Sequence, residues 1–139
     1  MIRFTVPGEP CAQPRYTPRK MQGFVRMVMP DASPIHAYKA AVKMCAQEAY
    51  NGPPLKGPLS IEIVAVWPRP KNKFWKTKPT PRIPKDTKPD VDNVCKAVLD
   101  ALNKQLFGDD AQIVKATVSK FYAAGSEQPA TWVVIEEGE

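Results

Sequence analysis

Six charged residues in the second half of the chain have the types and spacing that metal-assisted chemistry requires. They are Asp90, Asp92, Lys96, Asp100, Asp109 and Asp110. Carboxylate oxygens are preferred ligands of Mg²⁺, and bound Mg²⁺ can activate water and neutralise charge on a phosphate. A nearby lysine can stabilise charge that develops on the phosphate or the leaving oxygen. The pattern indicates phosphodiester hydrolysis, with Mg²⁺ or Mn²⁺ favoured over Zn²⁺ because the cluster has no histidine.

A helix predicted over residues 91–104 must position the first four of these residues. Its apolar side chains recur at intervals that place them on one buried face. They are Val91, Val94, Cys95, Val98, Leu99 and Leu102. Asp90 lies where the helix starts, and Asp92, Lys96 and Asp100 follow one another at intervals of four. That spacing places them in a polar stripe beside the apolar face.

The second acidic pair follows a short turn. Asp109 and Asp110 come directly after Phe107 and Gly108, and a strand is predicted to begin at about residue 112. A helix and the strand that follows it are usually neighbours in space. We therefore expect the second acidic pair to approach the polar stripe of the helix.

Each of these residues also has a purely structural interpretation. Asp90 or Asp92 can serve as a helix cap and dipole partner, which contributes about 1 kcal/mol. Lys96 and Asp100 can form a solvated pair at i,i+4, and the second acidic pair can be a plain turn. We favour the site because four aspartates at two adjacent element ends are unexpected in an otherwise basic chain.

The charge of the chain is unevenly distributed. The net charge is +6, yet residues 1–88 carry 16 Lys and Arg against 5 Asp and Glu, whereas residues 89–139 carry 4 against 9. Such asymmetry indicates a polyanionic partner that meets one part of the chain. Nucleic acid is the partner that this pattern favours.

The basic residues concentrate in a segment that has no apolar pattern of its own. Residues 69–88 hold 8 basic and 1 acidic residue, 4 prolines and 2 aromatic residues. We predict a DNA-gripping loop that extends to basic residues near the N-terminus; the alternative is a disordered, solvated linker. The predicted DNA-binding residues are Arg15, Arg19, Lys20, Lys71, Lys73, Phe74, Trp75, Lys76, Lys78, Arg82, Lys85 and Lys88.

The remaining patterns predict one α+β domain over residues 1–139. Strands are predicted over residues 2–7, 58–68, 112–122 and 131–136. The first helix starts at about Ser33, a candidate cap, with Pro34 at the first helical position. Residues 8–30 are predicted to be irregular. The expected order is β-α-β-α-β-β in a mixed sheet, with the last two strands forming a hairpin.

Several classes of protein are disfavoured by the composition. Cys11, Cys45, Cys95 and His36 are scattered, so a structural zinc site or a Cys–His nucleophile has no support. No apolar run reaches the roughly 18 residues of a membrane span, and the start of the chain reads as a strand rather than a signal peptide. We expect a cytoplasmic protein with no membrane partner.

The acidic motif resembles the RusA-type Holliday-junction resolvases of bacteria and phages. The resemblance rests on D-V-D-N-x-x-K-x-x-x-D-A-L-N at residues 90–103 and D-D-A-Q-I at residues 109–113. It is close over residues 88–113 and looser in the outer strands and in the segment 13–17. The chain departs from part of the family in the segment before the first aspartate. Some members have a short arginine-rich segment there, whereas this chain has a long segment rich in lysine, proline and aromatic residues.

The resemblance implies a compact homodimer with two active sites that makes paired symmetrical nicks in four-way junctions with Mg²⁺, in DNA recombination and repair. The family's first acidic pair matches Asp90 and Asp92, its catalytic lysine matches Lys96, and its later acidic residue matches Asp110. Asp109 is expected to assist in binding the metal, and the matching helix residue, Asp100, to support the site. A bacterial, phage or prophage origin follows from the same resemblance.

Two alternatives remain open at this stage. The charge asymmetry and the aromatic basic segment suit a non-catalytic, architectural DNA-binding protein equally well. A metal-dependent nuclease that acts on flaps or other branched DNA would also carry these residues.

Overall fold

The structure, a computed structural model, describes residues 1–12, 34–74 and 80–138, together with the backbone of residues 17–21 and 24–28. In chain order the elements are β1 (Ile2–Pro7), β2 (Thr17–Met21), β3 (Phe24–Val28), α1 (Ile35–Ala49), β4 (Leu59–Trp67), β5 (Ile83–Pro84), α2 (Val91–Leu102), β6 (Ile113–Tyr122) and β7 (Ala130–Glu137). β2 and β3 pair with each other, and the remaining strands form one mixed sheet in the order β1-β7-β4-β6-β5.

This arrangement confirms the predicted α+β fold, but the predicted hairpin of the last two strands is wrong. β4 lies between them, parallel to β6 and antiparallel to β7. The chain leaves β4, passes through α2 and returns as β6 in the same direction, which is a crossover connection. The connection at residues 123–129 then passes the end of β4, about two strand spacings or ~10 Å, before β7 begins.

The element boundaries differ from the predictions in smaller ways. α1 begins at Ile35, with Pro34 at the cap position instead of the first helical position; Ser33 lies outside the described residues. α2 ends at Leu102, before the predicted limit, because Lys104 has a left-handed φ of 65° that a helix cannot continue through. The stretch predicted to be irregular contains β2 and β3, whose mixed basic and apolar residues gave no clear alternation.

A single apolar core fills the space between the two helices and one face of the sheet. The strict alternation of β4 places Leu59, Ile61 and Ile63 on that face, all of them buried. α2 contributes Val94 and Val98, and both are fully buried. Because the apolar face of α2 is held against the core, the polar stripe beside it has a fixed position at the surface.

One buried hydrogen bond joins α1 to the sheet. The hydroxyl groups of Tyr38 and Thr131 lie 2.6 Å apart. Burial is the main reason why the pKa of Tyr38 rises to about 12. In the part of the chain that is described, neither helix is long and apolar enough to cross a membrane.

Candidate active site

α2 and the turn after it together form an open depression at the surface. Its volume is about 330 Å³. Four of the predicted site residues line it: Asp92, Lys96, Asp100 and Asp110. Cys95 and Leu99, on the same helix, complete the lining. The expectation that the turn approaches the polar stripe therefore holds for Asp110.

Asp90 occupies the N-cap position of α2 but does not cap it with its side chain. Its backbone is extended, and its carbonyl accepts a hydrogen bond from the Val94 amide at 3.1 Å. Its carboxylate makes no capping hydrogen bond, and the residue is exposed. Capping therefore does not account for this carboxylate, which is two residues before Asp92 in the chain but does not line the depression.

Asp109 has the opposite arrangement. Its carboxylate accepts a hydrogen bond from the Ala111 amide at 3.2 Å and caps the short 3-10 turn Asp110–Gln112. The Gln112 side chain completes this capping box by accepting from the Gly108 and Asp109 amides at 2.9 and 3.1 Å. The structural role considered for the acidic turn thus applies to Asp109, which does not line the depression, and the turn fixes the position of Asp110.

Negative charge accumulates at this turn. The backbone hydrogen bond from Ala111 lowers the pKa of Asp109. The pKa of Asp110 is raised, first by its hydrogen bond with Asp109 and then by burial and the nearby charges of Asp109 and Asp100. The neighbouring negative charges disfavour the ionised form of Asp110, and a cation bound at its carboxylate would favour that form.

The donor set suits a hard cation. Among the described residues, no three Asp, Glu, His or Cys side chains are close enough together to enclose a metal ion as they stand. Mg²⁺ does not require such a cage, since it keeps several waters and usually binds through one or two carboxylates. Asp92 and Asp110 line one depression and offer oxygen ligands, which suit Mg²⁺ or Mn²⁺ better than Zn²⁺.

The structure adds Lys39, which sequence analysis did not identify. Its ammonium lies 3.6 Å from the Asp100 carboxylate, and both side chains are partly exposed. Lys39 is on α1, so no local spacing linked it to the aspartates of α2. The pair contributes little to stability, but it places a second cation beside the depression.

Lys120 is a second residue that sequence analysis missed. Its ammonium donates hydrogen bonds to the carbonyl oxygens of Thr87 and Pro89 at 2.7 and 2.6 Å. These carbonyls belong to the short stretch of chain directly before Asp90. Lys120 on β6 therefore holds the chain where it enters α2, and so helps to place Asp90 and Asp92.

Replacing Lys120 with methionine is expected to destabilise the protein by about 1–2 kcal/mol, because two carbonyls lose a charged donor. Urea denaturation measures this loss, and hydrogen exchange should show faster exchange in the first turn of α2. Lys115→Met is the matched control, since Lys115 is exposed and lies on the opposite face of the same strand. Equal effects of the two changes would contradict an anchoring role for Lys120.

Part of the predicted DNA-binding segment is exposed as expected. Lys71 and Lys73 belong to a 3-10 turn and are both exposed, as is Lys88. The Phe74 side chain is 44% exposed. The Lys73 ammonium lies 5.7 Å from the ring centre of Tyr122, but Lys73 as a residue is exposed. These cations and this ring are therefore accessible to a nucleic acid.

Arg82 and Lys85 instead interact with the sheet. The Arg82 guanidinium forms an ion pair with Glu127 and lies 5.4 and 5.1 Å from the ring centres of Phe121 and Trp132. The Lys85 ammonium lies 4.8 Å from the ring centre of Tyr122 and is half-buried. For these two cations, as for the other residues of the set, contact with DNA stays a prediction, and such a contact would compete with their partners within the protein.

The side chains of the other predicted DNA-binding residues lie outside the described part of the chain. Arg15, Trp75, Lys76 and Lys78 lie outside the described residues, and of Arg19 and Lys20 the structure describes only the backbone.

Comparisons with known proteins extend the likeness beyond the acidic motif. The model of the family described as Endodeoxyribonuclease RusA matches residues 7–136. The uncharacterized protein YqaN of Bacillus subtilis strain 168 is 38% identical over 141 residues, which covers 98% of this chain and 96% of that protein. The family match includes both the depression and the whole basic segment.

Proposed function

Because the chain belongs to the RusA endodeoxyribonuclease family, we propose that it resolves four-way DNA junctions by Mg²⁺-dependent, paired, symmetrical nicks as a homodimer. Family membership makes the chain an endonuclease of the Holliday-junction-resolving kind and decides against the architectural alternative. The metal, the site residues, the dimer and the manner of cutting are the proposed parts.

The observation that carries the proposal is the depression lined by three aspartates and one lysine. Asp92, Asp100 and Asp110 supply negative charge there, and Lys96 supplies positive charge. Carboxylates repel phosphates, so they weaken the hold of a surface on the DNA backbone. A surface that cuts DNA needs them to hold a cation.

We assign the metal to Asp90, Asp92 and Asp110. When bound, Mg²⁺ supplies a water of lowered pKa and positive charge at the scissile phosphate. Asp92 and Asp110 would offer their oxygens from the depression, and Asp90 would offer its own from the N-cap position of α2, where its carboxylate makes no capping hydrogen bond. Asp109 assists by capping the turn that fixes Asp110, and Asp100 supports the site through its contact with Lys39.

Lys96 is assigned to the phosphate. It is exposed at the edge of the depression and lies one helical turn from both Asp92 and Asp100. An ammonium in that position donates hydrogen bonds to the scissile phosphate or stabilises the leaving oxygen. It also draws the phosphate towards the carboxylates that would otherwise repel it.

The dimer follows from the symmetry of the substrate. A four-way junction has two equivalent strands to cut, and the described part of one chain contains one depression lined by these aspartates. A two-fold dimer places one depression at each strand and makes the nicks symmetrical. Light scattering of the protein on a sizing column tests this directly, and a monomer at the concentration used for cutting would contradict it.

The exposed lysines of the basic segment are assigned to the DNA backbone. Replacing Lys71 and Lys73 together with glutamine is expected to weaken junction binding, with the slope of log K against log salt falling by about 0.9 for each phosphate that the variant no longer neutralises. Binding titrations in EDTA at several salt concentrations measure the slope. The control is Lys43→Gln with Lys56→Gln, which removes equal charge from exposed positions outside the segment.

Substrate choice separates this proposal from the nearest alternative. A four-way junction, a flap and a linear duplex of equal length should be compared as substrates in Mg²⁺. We expect the junction to be cut fastest, at paired positions on opposite strands. Faster cutting of the flap would mean that the preferred substrate is another kind of branched DNA, and it would not affect the proposed metal site.

A further inference from the structure

Among the described residues, Arg69 is the one charged residue that is buried, at 7% exposure. It stands at the end of β4 and is the first residue of the basic segment. The ion pairs found in the described parts of the chain do not involve it. A guanidinium removed from water without a carboxylate partner is costly unless other groups accept its hydrogen bonds.

Three backbone carbonyls accept those hydrogen bonds, each from a different stretch of chain. The Nε atom donates to Ala123 at 2.8 Å, in the connection after β6. One terminal nitrogen donates to Lys73 at 2.9 Å, and the other donates to Pro81. The planar guanidinium fork makes these bonds from three separate nitrogen atoms, whereas the three donors of an ammonium all radiate from one nitrogen and do not reach acceptors spread in this way.

Two of these carbonyls lie within the basic segment itself. Lys73 belongs to the turn where the segment leaves the sheet, and Pro81 lies just before β5, where it returns. Arg69 therefore joins both ends of the segment to one point on the sheet. The returning end has a second support, since the Gly125 amide donates to the Thr80 carbonyl at 2.9 Å.

We propose that Arg69 is a positioning residue for DNA binding, which acts by holding the two ends of the basic segment and does not itself contact DNA. This inference rests on the proposed function. Its consequence is that the exposed Lys71, Lys73 and Phe74 are presented in a set arrangement before DNA arrives. Preorganisation of this kind strengthens binding by reducing the ordering that binding would otherwise require.

The test is Arg69→Lys, which keeps the charge and removes the fork. Arg3→Lys is the matched control, because Arg3 is exposed on β1 and contacts only Met1 among the described side-chain partners. Hydrogen exchange in the absence of DNA measures how well the two ends of the segment are held, from the exchange rates of the Lys73, Phe74 and Gly125 amides. Junction titration in EDTA reads Kd, and cleavage by saturating enzyme in Mg²⁺ reads the rate of cutting.

We expect faster exchange at those three amides, a Kd raised by at least ~10-fold, and a saturated rate within about threefold of the parent. Unchanged exchange, unchanged Kd, or a loss confined to the saturated rate would each overturn the proposal. If the parent protein neither binds nor cuts junctions, the proposed function fails instead, and the exchange result still reports on the anchoring.

A second variant guards against misfolding of Arg69→Lys. In Gly125→Ala the new methyl group would lie 3.3 Å from the Thr80 side chain, a tight contact that requires Thr80, at the returning end of the segment, to shift by a few tenths of an ångström while Arg69 is unchanged. We expect weaker junction binding by about threefold or more with the saturated rate retained. Parent-like Kd in a variant whose Lys85 and Gly125 amides exchange faster would overturn the proposal.

Discussion

Replacing Asp92 with asparagine is expected to lower junction cleavage on the order of 10²- to 10³-fold, and Asp110→Asn should do the same. Asparagine keeps the size of the side chain but removes the charge that would hold Mg²⁺ in the depression. Junction binding in EDTA should be retained or slightly stronger, because one carboxylate no longer repels the phosphates. Single-turnover cleavage measures the rate of cutting by each variant, and a binding titration in EDTA measures its junction affinity.

The matched control is Glu48→Gln, which removes one carboxylate charge from an exposed position on α1. It should cut at the parent rate. If both Asp92→Asn and Asp110→Asn cut junctions at rates within a few fold of the parent rate, the assignment of these two residues to the active site would be wrong. Loss of binding together with cutting would show that these carboxylates maintain the fold instead of holding a metal.

Replacing Lys96 with methionine is the second change with a large expected effect, a fall in the saturated cleavage rate of about 10²-fold. The ammonium is proposed to stabilise charge that develops during the reaction, so its loss should reduce the rate more than it reduces junction affinity. Methionine retains most of the length of the lysine side chain and its contacts with the helix surface. The Mg²⁺ concentration that gives half-maximal cutting should stay close to the parent value.

Lys43→Met provides the comparison, since Lys43 is an exposed helical lysine on α1 and belongs to neither the depression nor the basic segment. Equal losses of the saturated cleavage rate in the two variants would show that Lys96 acts only through its contribution to the net charge. A parent-like saturated rate with a raised Kd would make Lys96 a DNA-binding residue.

The features of the fold and site that sequence could predict depend on local periodicity. The apolar spacing of α2 determines which side of the helix is buried, and so places Asp92, Lys96 and Asp100 together on its surface. The period-two pattern of β4 identifies the central strand in the same way. In both elements the buried face is set by residues that are neighbours along the chain.

What sequence could not predict depends on interactions between distant residues. β4 lies between β6 and β7 in the sheet. A hairpin of β6 with β7 would require the same apolar alternation in these strands, so the sequence pattern does not distinguish the two pairings. Lys39, Lys120 and Arg69 reach their partners only after the helices and sheet have packed. Asp109 and Asp110 are adjacent in sequence, yet the 3-10 turn makes one a cap and lets the other line the depression.

Metal-dependent cutting is tested most sharply by binding the protein to an end-labelled four-way junction in EDTA and then adding Mg²⁺. We predict a stable complex without cutting, followed after Mg²⁺ addition by nicks at symmetrical positions on two opposite strands. A junction that stays bound and uncut in Mg²⁺ and in Mn²⁺ would contradict the claim that the carboxylates of α2 and the turn after it form a metal-dependent active site.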